Sequence, residues 1–231
     1  MRAFKRFLLK LSMFPPAWEA HLEARVPFVK GLTFADREHL RYLIRCFVSE
    51  RRFEGMEGLE ITDEIRVVIA ACACRLILSL DLSLYDGLDL IRVYPDTFNA
   101  AERGAHGRVQ VDASGTTVSL SWAAVLEGLA NARDGRNTAY HEFAHVLDCA
   151  DGSGDGILSA TRSDFLPWAA LVRRPGFRER VVKSGVLRAY AGENELEFLA
   201  VATEVFFERP DLLRKRQPEL YEALSELYRR R

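Results

Sequence analysis

The chain has 231 residues, 48% of them hydrophobic, which suffices for one sizeable buried core and leaves little for a second. Its 32 basic and 33 acidic residues give a formal net charge of -1, without the basic footprint of direct nucleic-acid binding, so no nucleic-acid partner is expected. No apolar run approaches the length of a membrane span.

Residues 1–16 begin with positive charge, but Lys10 interrupts the apolar run and no small-residue cleavage site follows. Phe4, Phe7, Leu8 and Leu11 fall at helical spacing, which predicts an amphipathic helix here, with contact to a membrane surface as the lesser reading. Pro15 and Pro16 stop it, and a second helical pattern runs through Trp18 and Leu22 toward Pro27. From Thr33 to Phe53, Leu40, Leu43, Ile44, Phe47 and Val48 recur as one face of a helix, ended by Gly55 and Gly58. Thr62 reads as an N-cap for a helix from Ile65 to Leu80 that is apolar nearly all round and therefore buried. Leu90 to Tyr94 reads as a strand, and Val109–Val111 with Val118–Trp122 alternate as a hairpin about Asp112–Gly115. The last region is helix-rich from Glu193, breaks at Pro210 and Pro218, and leaves residues 209–231 as a helical tail. The expected fold class is α+β, a single helix-rich domain over 1–231 with a small mixed sheet.

Cys46, Cys72, Cys74 and Cys149 form no CxxC pair, and three of them lie in apolar stretches as small hydrophobes, which suits a reducing, cytoplasmic setting.

His141-Glu142-Phe143-Ala144-His145 carries the chemistry. Two histidines four apart share one helix face and can share a metal ion, and the adjacent glutamate can act as general base toward water. Chance would place this pattern at most about 0.015 times in a chain of this size and composition, so coincidence is a poor account. The apolar Phe143, Ala144, Val146 and Leu147 bury the helix, where unpartnered histidines and a glutamate would be costly.

A catalytic zinc needs a third protein ligand. A metzincin would have Gly at 148 and a methionine turn downstream, whereas Asp148 stands there and the methionines are Met1, Met13 and Met56. Glu204, Glu197, Asp151 and Asp148 are the carboxylates on offer. Glu197, Glu204 and Glu208 share a helix face, and Glu204, set among Val201, Ala202, Val205 and Phe206, is the least comfortable without a cation. Glu197 is then expected to orient a ligand or line the cleft, and Asp148 or Asp151 to hold a ligand's second nitrogen. Tyr140 and Tyr190 are candidates for stabilising an oxyanion, and Val118–Trp122 is either an edge strand that docks an extended peptide or a covered interior strand.

The segments Phe53–Thr62, Ile91–Pro95, Leu120–Trp122, Tyr140–His145, Leu147-Asp148, Asp151-Gly152, Asp155-Gly156 and Ala200–Phe207 resemble the Mlc titration factor A family of cytoplasmic zinc peptidases. The active-site helix of that family is similar to that of the anthrax lethal factor catalytic core. The resemblance implies a zincin-like fold of gluzincin type, with Zn2+ held by His141, His145 and Glu204 and Glu142 as base. It also implies aminopeptidase-like cleavage of a peptide or protein substrate, and binding to the transcriptional repressor Mlc. The rival reading is a binding protein that sequesters a regulator and has a weak or gated activity at its zinc site.

Overall fold

The computed structural model describes residues 2–98, 106–112, 115–151, 154, 156 and 166–228. Helices α1 (Arg2–Leu11), α2 (Pro16–Arg25) and α3 (Phe34–Glu50) come first, with Pro16 at the start of α2 and Thr33 accepting from the Asp36 N–H as the cap of α3. The predicted face of α3 is the one that packs: Leu40, Leu43, Ile44 and Phe47 are buried.

Strand β1 (Arg52–Gly55) follows, where the sequence suggested that the helix continued to Phe53. Phe53 extends the apolar spacing of α3, but Arg51 is already in extended backbone, and Phe53 pairs with Ile91 of the next strand. Helix α4 (Asp63–Leu76) is capped by Thr62 and buried along nearly its whole length, ending four residues before the predicted Leu80. Strands β2 (Leu88–Tyr94), β3 (Gly107–Asp112) and β4 (Gly115–Ser121) complete a mixed sheet of order β1-β2-β4-β3, in which only the β3–β4 pair is antiparallel. The predicted hairpin forms, but Trp122 belongs to α5 (Trp122–Ala130), capped by Ser121. β4 is an interior strand, so the expectation of a peptide-docking edge at Val118–Trp122 fails; the edge beside it is β3.

Helix α6 (Thr138–Asp148) carries the HExxH segment and packs against α4, α5, β3 and β4. Phe143 makes edge-on contacts with Phe47 and Tyr85, with ring centroids 5.9 and 5.8 Å apart. At about 100° per residue, that anchorage turns His141 and His145 to the opposite side of the helix. Truncating Phe143 to alanine would cost about 3–5 kcal/mol and release the orientation of α6.

Beyond the site come α7 (Leu166–Val172), α8 (Phe177–Lys183), α9 (Glu195–Glu208), α10 (Pro210–Arg216) and α11 (Pro218–Tyr228). α9 lies along α6, and the stretch predicted as a tail is built into the core through Leu213, Leu220, Leu224 and Leu227. One hydrophobic cluster runs from Leu22 to Tyr228. Among the described residues no helix is long and apolar enough to cross a membrane.

Candidate metal centre

The approach to α6 is pinned by α9. Asn137 caps α6, its Oδ1 accepting from the Tyr140 N–H at 3.1 Å. The Asn137 backbone N–H donates to Glu204 at 2.7 Å, and its Nδ2 donates to Glu208 at 3.1 Å. Glu208 also accepts from the N–H groups of Gly135 and Arg136, each at 3.0 Å. Two carboxylates one turn apart on α9 thereby hold the entry of α6 through backbone donors and the Asn137 side chain.

His141, Glu142 and His145 are all buried where α6 faces α9. The Nε2 atoms of His141 and His145 face each other at 3.2 Å. The Glu197 carboxylate completes the triangle, with Oε2 3.0 Å from His141 Nε2 and Oε1 3.6 Å from His145 Nε2. One ligand atom from each of these three residues lies within 4.8 Å of the others. Two imidazole nitrogens and a carboxylate pointing at one small volume are three electron-pair donors, and Glu197 Oε2 makes no hydrogen bond of good geometry there. A divalent cation fits that donor set.

Glu204 sits on the other side of His141. Its Oε1 lies 2.7 Å from His141 Nδ1 and 2.7 Å from Arg188 Nη2, and its Oε2 accepts from Arg188 Nη1 at 2.8 Å and from the Asn137 N–H at 2.7 Å. Four nitrogen atoms of three residues occupy this carboxylate, which leaves it turned away from the Nε2 atoms. Glu197, two turns earlier on the same face of α9, lies beside both Nε2 atoms, whereas Glu204, the carboxylate expected as the third ligand, lies against His141 Nδ1.

Electrostatics follow the geometry. Burial opposes charge on His141, but the carboxylates of Glu197 and Glu204 outweigh it and push its pKa up to about 10. Burial likewise opposes charge on Glu197 and Glu204, yet the imidazoles at Glu197, and His141 with Arg188 at Glu204, hold both below the usual carboxylate range. Glu142 moves the other way: burial raises it, with the two histidines only partly compensating. Glu142 lies beneath the edge strand, where a Cβ at Gly107 would collide with its carboxylate.

Of the two candidate tyrosines, Tyr140 is buried and its hydroxyl meets Arg75 at 2.5 Å, which assigns it to packing. Tyr190 stands at the mouth of the centre, 6.0 Å from the His141 ring, and burial together with the Glu197 carboxylate pushes its hydroxyl up to about 12. Asp148 follows the second histidine at the end of α6, and its Oδ2 accepts from the Gly156 N–H at 2.7 Å. The side chain of Asp151 lies outside the described residues. Arg188 and Gly107 were not legible in the sequence, since neither belongs to a motif; the Gly107 contact depends on the hairpin folding over α6.

A model of the glucose-regulated metallo-peptidase M90 family matches residues 1–229. The chain is 32% identical over 231 residues to protein slr2042 of Synechocystis sp., covering 93% of this chain and 84% of that one. It is 26% identical over 234 residues to Mlc titration factor A of Cronobacter sakazakii, covering 94% and 87%, and 27% identical over 221 residues to Mlc titration factor A of Salmonella agona, covering 88% and 83%. The match spans the HExxH helix and the α9 carboxylates alike, and the chain belongs to the glucose-regulated metallo-peptidase M90 family.

Proposed function

We propose that this chain is a zinc-dependent peptidase in which His141, His145 and Glu197 hold Zn2+, Glu142 is the general base, and Glu204 orients His141. The observation that carries this reading is the convergence of two Nε2 atoms and the Glu197 carboxylate, with Glu204 fixing the opposite nitrogen of His141. Zinc at such a site supplies Lewis acidity to a substrate carbonyl and lowers the pKa of water toward ~7. The Glu204 contact is satisfied by Nδ1–H on His141, so a metal ion would take the place of the proton that His141 otherwise holds on Nε2 between itself and Glu197. Glu142 takes the proton of the attacking water and delivers it to the leaving amine; burial, by raising its pKa, strengthens it as a base. Tyr190 donates its hydroxyl to the oxygen on which charge develops. Three protein ligands, with no cysteine among them, suit an open catalytic site better than a closed structural one.

The resemblance to the Mlc titration factor A family supports aminopeptidase-like cleavage of short peptides and a cytoplasmic setting, with which the free, buried Cys46, Cys72 and Cys74 agree. The name of the relatives also supports binding to the repressor Mlc, as the alternative or added role. Metal analysis, a peptide-library cleavage profile and the Glu142→Gln variant test these readings together. The expected result is about one zinc per chain, hydrolysis abolished by chelation, and a variant that keeps its zinc while turnover falls by about a thousandfold or more. Hydrolysis that persists without metal would overturn the peptidase reading, and Mlc binding that survives Glu142→Gln would show the two roles to be separable.

A further inference from the structure

Helix α1 is attached to the body by its charged side. Arg6 makes a two-pronged contact with Glu50, both distances 2.8 Å, and a third with Asp86 at 2.6 Å. Arg2 reaches the Asp86 carbonyl, Lys5 the Ser49 carbonyl, and Leu9 packs against the core. The opposite side carries Phe4, Phe7, Leu8 and Leu11, continued by Met13, with exposures from 50% at Leu8 to 85% at Met13. An amphipathic helix on a protein surface ordinarily turns its apolar stripe to the core. Here the contacts fix the reverse, so the stripe is aimed outward by specific ion pairs.

The charges around the stripe say what covers it. At about 100° per residue, Lys5 and Lys10 stand on its two flanks, each roughly 110° from its centre. Both are exposed, and α1 contains no acidic residue. Aromatic and leucine side chains between flanking lysines match a helix lying in the plane of an anionic bilayer surface, its apolar face among the acyl chains and its lysine stems reaching back to the headgroups. A second copy of the chain docked by the same face would set these cations beside their own counterparts.

We propose that α1 is an interfacial anchor that lays Phe4, Phe7, Leu8 and Leu11 into the surface of an anionic phospholipid bilayer. The test uses the full chain, sedimented with vesicles of phosphatidylcholine alone or mixed with phosphatidylglycerol. The parent is expected to bind the mixed vesicles at least about tenfold better, and less well as salt is raised. Phe7→Ser with Leu8→Ser should abolish binding. Lys5→Glu with Lys10→Glu should remove the preference for anionic lipid. The serine variant should keep the parent's thermal midpoint, since every contact that holds α1 remains, and the glutamate variant should lose only the Lys5 contact with the Ser49 carbonyl while the Arg6 contacts hold the helix. A parent that binds neither vesicle overturns the proposal, as does a serine variant that binds like the parent. So does sedimentation equilibrium showing a parent dimer, lost in the serine variant, with no vesicle binding.

Discussion

Glu204 meets His141 at Nδ1, 2.7 Å away, while Glu197 meets the same ring at Nε2, 3.0 Å away. One imidazole thus lies between two glutamates of the same helix, and the two are not equivalent: Glu204 is saturated by Arg188, Asn137 and His141, whereas Glu197 faces both Nε2 atoms. Removing the partner of a ligand's outer nitrogen typically weakens metal affinity about 10–100-fold. Glu204→Ala should therefore fall in that range by competitive chelator titration, and Glu197→Ala well beyond it. A Glu204 variant that loses the metal more completely than the Glu197 variant would reverse the assignment.

Tyr190 and Tyr140 were equal candidates in the sequence, and the structure separates them. Tyr190→Phe removes a hydroxyl beside Glu197 without disturbing the core, so kcat should fall about 10–100-fold while KM and zinc content stay near the parent's. Tyr140→Phe should instead lower the thermal midpoint, because Arg75 loses its partner within the packed interior. Equal kinetic losses in the two variants would refute the separation.

Gly107 lets β3 close over Glu142. A methyl group there must push either the strand or the carboxylate aside, and a base displaced by about 1 Å commonly costs on the order of a hundredfold in rate. Gly107→Ala should retain zinc and lose kcat, and no change in pH should restore it, since the defect is one of position. Full activity in this variant would mean that Glu142 tolerates the shift.

The HExxH helix was legible because its signal is local: spacing on one helix decides which side chains share a face, and Phe143 supplies the core contact that holds the face in place. The choice between Glu197 and Glu204 was not, because both satisfy the same i, i+7 relation on α9. What sets their surroundings apart is the guanidinium of Arg188 and the backbone N–H of Asn137 on Glu204, the second of them 67 residues away in sequence. The same holds for β1: Phe53 continues a helical spacing, and only the parallel partner Ile91 makes it a strand residue. The sheet itself was anticipated in kind, from short alternating runs, but its strand order, and with it the identity of the edge, is a long-range property that no local pattern encodes.

Glu208 offers a pH readout of the clamp on α6. Burial pushes its pKa from 4.5 up to about 7, Asp134 adds to the shift, and the donors from Asn137, Gly135 and Arg136 only partly offset it. An acid with a raised folded-state pKa keeps its proton more tightly in the folded chain than in the unfolded one. Between about pH 4.5 and 7 the folded state therefore carries the extra proton, and the stability tied to it is fully present below 4.5 and lost as pH rises through 7. The loss amounts to at most about 3 kcal/mol. Glu208→Gln keeps an acceptor for the same backbone donors and cannot ionise, so its stability should fall less than the parent's across this range. Urea unfolding of parent and variant at matched zinc between pH 5 and 8 measures the difference, in which all other titrating groups are shared. Two parallel stability curves would show that Glu208 is ionised throughout and that the three donors, not burial, set its charge.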